Sequence, residues 1–171
     1  MKPKIVVVYH SGNGHTEKQA IAVAKGANAE LMKATSPDWE KLNAADAIIF
    51  GSPTYMGSAS APFKKFMDDS SKIWFAQQWK DKIAGGFTNG AGMSGDKLST
   101  LIQFAVFAGQ HGMIWASAGF SPGDRFGGGL GKMAQSIDAP ADDDNPPKID
   151  LANAENYGKR VAEITIKFKI R

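Results

Sequence analysis

Three segments of this 171-residue chain place glycine beside hydroxyl or amide side chains directly after an apolar run. The segments are Ser11-Gly12-Asn13-Gly14-His15-Thr16, Gly51–Ser58 and Thr88–Gly95. The first opens a predicted helix, where unpaired N–H groups and the helix dipole favour a bound phosphate. Ser11 and Thr16 add hydroxyl donors, and the two glycines permit a close approach of the backbone. On these residues alone, a phosphate site and an ordinary turn with a capping hydroxyl are equally compatible.

The second segment has the composition of a wall for a flat ring. Pro53 stiffens it, and Gly57 permits a sharp turn. Tyr55 and Met56 are large and apolar, and an aromatic contact contributes about 0.5–1.5 kcal/mol beyond burial. An ordinary surface turn would leave both of them exposed without a partner. The third segment offers backbone amides together with Asn89, and its alternative interpretation is a flexible loop.

Two common phosphate-binding motifs are absent. A dinucleotide fingerprint needs a third glycine where Glu17 stands, and a Walker loop needs Gly-Lys followed by serine or threonine. The nearest candidate, Gly131-Lys132, is followed by Met133 and has Phe126 in place of the leading glycine. The ligand is therefore predicted to be a mononucleotide rather than ATP or tightly bound NAD.

Composition excludes several other classes of function. Without cysteine, the chain has no disulfide, no thiolate metal site and no cysteine nucleophile, and its expected compartment is the reducing cytoplasm. The basic residues behind the net charge of +3 are spread along the chain, which argues against nucleic-acid binding. No apolar run approaches the roughly 20 residues of a membrane span, so no membrane insertion is expected. The acidic triplet Asp142–Asp144 lies beside prolines and is interpreted as a solvated loop, so no metal site is predicted.

The alternation of predicted elements indicates how the three segments are positioned. Apolar, β-branched runs predict strands at Ile5–Tyr9, Glu30–Ala34, Ala47–Phe50, Lys82–Phe87 and Met113–Ala116. Periodicity predicts helices at Thr16–Ala29, Ala61–Ser71, Asp96–Gly109 and Ala152–Phe168, a short helix from the cap Ser36 to Leu42, and an irregular stretch at 118–148. The pattern is typical of one doubly wound α/β domain over residues 1–171, with a five-stranded parallel sheet between two helical layers. Ligands bind such sheets at the carboxyl ends of the strands, so the three segments are expected to meet there.

Four stretches of the chain together match one protein family. They are Tyr9–Thr16, Ala47–Gly57, Ile73-Trp74 placed eight residues before Lys82, and His111-Gly112-Met113. On these stretches the chain resembles the flavodoxin-like FMN proteins, most closely the WrbA-type NAD(P)H:quinone oxidoreductases (the tryptophan-repressor-binding-protein family). The resemblance covers most of residues 4–117, with a looser match at Ala152–Ile164, and it implies a flavodoxin-like sheet with strand order 2-1-3-4-5.

The resemblance also implies roles for individual residues. The cofactor-binding set that it implies is Ser11, Gly12, Asn13, Gly14, His15 and Thr16 on the FMN phosphate; Pro53, Thr54, Tyr55, Met56 and Gly57 beside the isoalloxazine; and Thr88, Asn89, Gly90, Ala91 and Gly92 on the polar ring edge and ribityl chain. Trp74 is expected to wall the place where NAD(P)H and quinone stack, across a subunit boundary, and His111 is expected at the flavin edge as a catalytic donor. From the residues alone, His111 could instead satisfy the last carbonyls of a helix, and Trp74 could belong to a core or an interface.

The function implied by the resemblance is FMN-dependent oxidation of NAD(P)H by a quinone, with ping-pong hydride transfer, in a homodimer or homotetramer. The alternative is a flavodoxin-type electron carrier, which binds FMN but has no turnover of its own. Such carriers are typically acidic, which the net charge of +3 opposes. A phosphoacceptor receiver domain is disfavoured, because Tyr9-His10 and Gly51-Ser52 stand where that domain needs clustered aspartates.

Overall fold

The computed structural model describes residues 2–119, 122–126 and 129–169. Its strands are β1 (Ile5–Tyr9), β2 (Glu30–Lys33), β3 (Ala47–Tyr55), β4 (Ser58–Ala59), β5 (Ile83–Gly90), β6 (Ile114–Trp115) and β7 (Lys132–Gln135). Its helices are α1 (His15–Ala27), α2 (Trp39–Ala44), α3 (Ala61–Asp69), α4 (Ser71–Phe75), α5 (Gly95–Gln110) and α6 (Lys148–Lys169). Within these ranges, no helix combines the length and the apolar character needed to cross a membrane.

The sheet follows the predicted order. Strands β2, β1, β3 and β5 lie side by side in parallel. At its outer side, β5 pairs with two short strands, β6 near its start and β7 near its end. The flavodoxin-like, doubly wound α/β fold is therefore confirmed, with the fifth position divided between β6 and β7. An additional antiparallel strand, β4, turns back on the end of β3.

Two strands are longer than predicted. β3 continues past Phe50 and β5 continues past Phe87, and their last residues pair with each other in parallel register. Polar side chains there, such as Ser52 and Thr88, interrupt the apolar pattern that predicts a strand, but they leave the backbone free to pair. Part of each predicted loop is therefore strand, which holds its residues in a fixed position.

The irregular stretch predicted before the last helix contains β7, so that prediction is wrong there. β7 has no long apolar run, and its first residue, Lys132, is buried because it pairs with the buried Asp124. The predicted cap of the short helix is also wrong. Asp38 caps α2 instead of Ser36, because its carboxylate accepts a hydrogen bond from the Lys41 N–H at 3.0 Å.

Apolar side chains pack on both sides of the sheet. On β1, Val6 and Val8 face one side, while Ile5, Val7 and Tyr9 face the other. The first side carries an aromatic cluster whose neighbouring ring centroids lie 5.0 to 6.4 Å apart. Its members are Phe50, Phe63, Phe66, Trp79, Phe104 and Phe107. Two layers of helix thus enclose a sheet that is apolar on both faces, which is typical of parallel sheets.

Glycines let α1 and α6 cross in close contact on the second side of the sheet. A Cβ built on Gly26 would lie 1.9 Å from the Glu155 carbonyl oxygen, and one built on Gly158 would lie 2.1 Å from the Val23 carbonyl oxygen. Non-bonded carbon and oxygen atoms do not approach so closely. The backbone of the partner helix therefore already fills the space that a side chain at either glycine would need. Gly26 weakens the propensity of α1 for helix and is required by its packing.

Replacing Gly26 with alanine is expected to destabilise the protein by about 1–3 kcal/mol, because the added methyl group must push α1 away from α6. Helix propensity alone predicts the opposite, a gain of about 1 kcal/mol. The matched control is Gly109→Ala in α5, where no described atom outside the local helix backbone lies within 4 Å of the added Cβ, and which is expected to be neutral or stabilising. Urea unfolding measures both, and equal effects would contradict the close crossing.

Candidate cofactor site

The three polar segments meet in one cavity at the carboxyl edge of the sheet. The cavity has a volume of about 310 Å³ and opens to the surface. Its lining residues are Ser11, Gly12, Asn13, His15, Thr16, Pro53, Thr54, Tyr55, Asn89, Gly90, Ala91, Ser136, Ile137 and Asp138. The lining thus combines the turn before α1, the ends of β3 and β5, and the residues that follow β7.

Gly14 shapes the first wall, where β1 passes into α1, without lining the cavity. Its φ of +86° is a left-handed conformation that favours glycine, and its N–H donates to Ser11 Oγ at 3.0 Å. Gly14 is the N-cap of α1 and has no side chain, so no capping acceptor takes the N–H groups of the first turn. Those groups and the positive end of the helix dipole are available to an anion in the cavity.

Glu17, the acidic residue in this first turn, is held outside the cavity. Its carboxylate accepts a hydrogen bond from the Tyr9 hydroxyl at 2.5 Å. Burial, together with the neighbouring Glu17, raises the pKa of Tyr9, so the hydroxyl remains a neutral donor to the carboxylate. The carboxylate of this first turn is therefore hydrogen-bonded to Tyr9 and does not line the cavity.

Buried hydroxyls hold the second wall in place. Thr88 Oγ1 donates to the Ser52 carbonyl oxygen at 2.7 Å. Because its hydrogen is used there, it accepts in its 2.7 Å contact with Thr54 Oγ1. Thr54 Oγ1 in turn accepts from Thr100 Oγ1 at 2.8 Å. Thr88 therefore lies behind the wall and positions Thr54, which lines the cavity in its place.

Tyr55 closes one side of the cavity at the end of β3. A Cβ built on Gly12 would lie 2.5 Å from the Tyr55 hydroxyl. The ring of Tyr55 therefore leans over the turn between β1 and α1, at a position where only glycine leaves space for it. Met56 and Gly57, with φ of +49° and +73°, form the tight turn into β4 and do not line the cavity. Tyr55 is 44% exposed, so the wall that it forms is open to solvent on its outer side.

Asn89 lines the cavity and has an unpaired donor. Its side chain is 3% exposed, and its Oδ1 accepts from Ser136 Oγ at 2.7 Å. Its Nδ2 is buried and has no hydrogen-bond partner among the residues that the structure describes. A buried donor without an acceptor costs about 1–3 kcal/mol, and a ligand carbonyl in the cavity would remove that cost.

The residues after β7 close the cavity, and no motif in the sequence points to them. His15 Nε2 donates to the Ala139 carbonyl oxygen at 2.9 Å, and Asn145 Oδ1 accepts from the Ile137 N–H at 3.0 Å. These contacts fold the segment over the turn before α1 and bring Ser136–Asp138 to the cavity. The one local signal is the apolar pair Met133-Ala134, which is too short to predict a strand.

His111 and Trp74 do not reach the cavity within one chain. From the end of β5, α5 runs back along the sheet for 16 residues, a length of about 24 Å, before it reaches His111. His111 is 2% exposed there, with its ring centroid 4.4 Å from that of Trp79. Trp74 lies nearby on α4 and is 43% exposed. Contact of either residue with a ligand in the cavity would have to come from a second copy of the chain.

Comparison with known proteins decides the family. The profile of the family described as NADPH-dependent FMN reductase matches residues 25–124, more than half of the chain. This chain belongs to the NADPH-dependent FMN reductase family. The resemblance to flavodoxin-like FMN proteins is therefore confirmed: the protein is an FMN oxidoreductase, and FMN is its cofactor.

Three relatives of this FMN reductase family member match almost its whole length. Flavodoxin FldP of Pseudomonas aeruginosa is 44% identical over 94% of this chain and 96% of its own. The NAD(P)H dehydrogenase (quinone) of Geobacter sulfurreducens is 32% identical over 95% of this chain and 98% of its own. A solved structure, that of the flavodoxin, WrbA-like protein from Agrobacterium tumefaciens, is 46% identical, with a TM-score of 0.84 over 96% of this chain and 98% of the other.

The cavity of this FMN reductase family member has a fitting group for both ends of FMN. The uncapped first turn of α1 suits the phosphate, and the unpaired Nδ2 of Asn89 suits a carbonyl of the ring. Among the described residues, no group of three His, Cys, Asp or Glu side chains could hold a metal ion.

The hydrogen bonds around His111 define its protonation state. Ser70 Oγ donates to the Met67 carbonyl oxygen at 2.7 Å, so it accepts from His111 Nε2 at 2.9 Å. His111 Nδ1 is then an acceptor, and it is buried without a partner in the described part of the chain. Burial lowers the pKa of His111 to about 4, because a proton on Nδ1 would place a charge among aromatic rings.

His111 is expected to make the protein less stable as the pH falls from 6.5 to 4, because the unfolded chain binds a proton on this residue over that range and the folded chain does not. The loss attributable to His111 is up to about 3 kcal/mol, at 1.36 kcal/mol for each unit of pKa difference. In the variant His111→Gln this contribution is absent. The free energy of unfolding in urea, measured at several pH values, should therefore fall less steeply for the variant, and parallel curves would refute the neutral buried histidine.

Proposed function

We propose that this protein is an FMN-dependent NAD(P)H:quinone oxidoreductase. The observation that carries the proposal is the cavity at the carboxyl edge, which combines an anion site at α1, a free amide donor on Asn89 and an opening to the surface. The open side leaves room for a flat substrate to stack on a bound ring. The relative named NAD(P)H dehydrogenase (quinone) supports this class of reaction.

At the phosphate end of the proposed site, the residues 11–16 bind the cofactor. The N–H groups at the start of α1 donate to phosphate oxygens, and the hydroxyl of Thr16 adds a further donor. Gly12 keeps the turn narrow beneath Tyr55, and Gly14 supplies the left-handed bend that begins the helix. Tyr9 holds the Glu17 carboxylate outside the cavity, so this side chain does not occupy the space of the anion.

At the ring end of the proposed site, side chains orient the cofactor and backbone amides stabilise negative charge on the ring. Pro53, Thr54 and Tyr55 flank the ring, and Asn89 Nδ2 donates to one of its carbonyls. Bound FMN supplies the two-electron chemistry between the nicotinamide and the quinone. Backbone amides at residues 90–92 stabilise the negative charge that develops there. Since one open face serves both substrates, NAD(P)⁺ leaves before the quinone binds, which makes the reaction ping-pong.

Trp74 and His111 enter this proposal through a second copy of the chain, in a homodimer or homotetramer. On α4, Trp74 is 43% exposed and Phe75 is 83% exposed, an apolar surface that another subunit would cover. Trp74 would then wall the place where NAD(P)H and quinone stack, and the buried His111 would lie beneath that wall, on the side of the flavin edge. The proposed use of NAD(P)H implies that the protein works in the cytoplasm.

The variant Thr16→Glu tests the phosphate end of the site. A carboxylate in the first turn of α1 would repel the phosphate, so the Kd for FMN should rise by roughly 100-fold or more. The control is Ile21→Glu, which adds the same charge to an exposed position of the same helix and should leave the Kd within about threefold. Titration of the FMN-free proteins, followed by flavin fluorescence, measures both values. An unchanged Kd for FMN in Thr16→Glu would show that the phosphate does not bind at this turn.

A second candidate function is that of an electron carrier with no turnover of its own. The relative named flavodoxin FldP favours it, since that protein is 44% identical over almost the whole chain. Both candidates need the same cavity for FMN. They differ in whether a nicotinamide and a quinone react at its open side.

Steady-state oxidation of NADPH and of NADH by benzoquinone, with the FMN-loaded protein, separates the two candidates. The oxidoreductase is expected to turn over and to give parallel double-reciprocal lines as the quinone concentration is varied, because the substrates occupy one face in turn. Intersecting lines would contradict the ping-pong order. A protein that dithionite reduces, yet that shows no turnover at saturating NAD(P)H and quinone, would be a carrier.

A further inference from the structure

Lys97 is a fully buried ammonium group in the first turn of α5. It is 0% exposed, and its Nζ donates to the carbonyl oxygens of Gly92 at 2.6 Å and Met93 at 3.0 Å. It also lies 4.7 Å from the centroid of the Phe126 ring. In the described part of the chain it forms no ion pair with a carboxylate, whereas buried lysines are usually paired. Carbonyl dipoles and an aromatic face are therefore its direct partners.

The side chain of Lys97 lies directly behind the wall of the cofactor cavity. A Cβ built on Gly90 would lie 3.3 Å from Lys97 Cε and 3.6 Å from Thr54 Cβ. Gly90 and Thr54 both line the cavity. The positive charge is thus separated from the cavity by a single layer of wall, and glycine at position 90 makes that layer thin.

Neither of the acidic groups near Lys97 forms an ion pair with its ammonium group within the described ranges. Asp150 is bound by Arg125 at 2.6 Å and by the Gln135 N–H at 3.0 Å, and Asp96 is exposed. Burial lowers the pKa of Lys97 to about 8, although Asp96 and Asp150 act to raise it, and Arg125 lowers it further. Lys97 is therefore protonated at neutral pH, and its charge is only partly compensated.

We infer that Lys97 is a positioning residue of the flavin site, which anchors Gly92 and Met93 and sets a positive charge behind the ring that favours the reduced cofactor. Reduction by NAD(P)H brings two electrons and one proton to FMN, so the cofactor gains one negative charge unless a second proton binds. A fixed cation behind the wall stabilises that added charge. The inference rests on the proposed position of FMN in the cavity.

The test compares Lys97→Met with the matched control Lys82→Met. Lys82 also donates to two backbone carbonyls, those of Asn43 at 2.7 Å and Ala45 at 2.5 Å, but it lies at the opposite edge of the sheet. For each variant, fluorescence titration gives the Kd of oxidised FMN, and spectroelectrochemical titration gives the midpoint potential. Lys97→Met is expected to bind reduced FMN about tenfold more weakly relative to oxidised FMN, which lowers the two-electron potential by about 30 mV. Lys82→Met should match the wild type.

The pH dependence of the potential gives a second measurement, which needs only the wild-type protein. Added negative charge on the ring raises the pKa of Lys97, so above about pH 8 reduction should take up an additional proton, and the plot of potential against pH should steepen there. In Lys97→Met that steeper segment should be missing. If Lys97→Met does not fold, the wild-type plot decides alone.

The outcomes separate this inference from the function on which it rests. A wild-type plot without a steeper segment, or a Lys97→Met potential equal to that of the wild type, would overturn the role of Lys97 while FMN binding persists. An equal shift in Lys82→Met would overturn it as well, because the effect would then be independent of position. If the wild-type protein takes up no FMN, the proposed cofactor site itself would be refuted.

Discussion

The parallel register of β1, β3 and β5 is the constraint on which the cofactor site depends. Ile5, Ala47 and Ile83 lie side by side, and from that common start the strands carry their carboxyl ends to the same edge of the sheet. Segments about 40 residues apart in the sequence therefore meet there, and hydrogen bonds such as that from Thr88 Oγ1 to the Ser52 carbonyl join two of them. A shift of β3 by one residue would exchange its two faces and remove Phe50 from the aromatic cluster, so the apolar core enforces the register.

Polar atoms behind the cavity are satisfied by one another, and this determines which atoms remain for a ligand. Thr54, Thr88 and Thr100 use their hydroxyls in one connected set, and the carbonyls of Gly92 and Met93 are taken by Lys97. Among the donors left at the cavity are the first-turn amides of α1 and Nδ2 of Asn89. A ligand with an anionic group at one end and ring carbonyls at the other can accept hydrogen bonds from these free donors, and FMN is such a ligand.

The two edges of the sheet have different roles. The carboxyl edge holds the cavity, which one chain builds by itself. The amino edge holds His111 in an apolar environment and presents Trp74 and Phe75 to the exterior. Because α5 spans the sheet between them, a subunit cannot bring its own amino edge to its own cofactor. This separation is the physical reason why the proposed substrate wall requires a second copy.

The sequence by itself determined the α/β class, the three polar segments and their meeting at one edge, because runs such as Ile5–Tyr9 must be buried on both faces and parallel strands end together. Its resemblance to a family supplied the strand order and the cofactor. The tertiary structure decided the rest: that Lys132 lies in a strand, that Thr88 stands behind the wall, and that Ser136–Asp138 close the cavity. The local sequence pattern indicates whether a residue prefers a buried position or a helix cap. Its bonding partner, such as Asp124 for Lys132, lies elsewhere in the chain, and the two come together only when the elements pack.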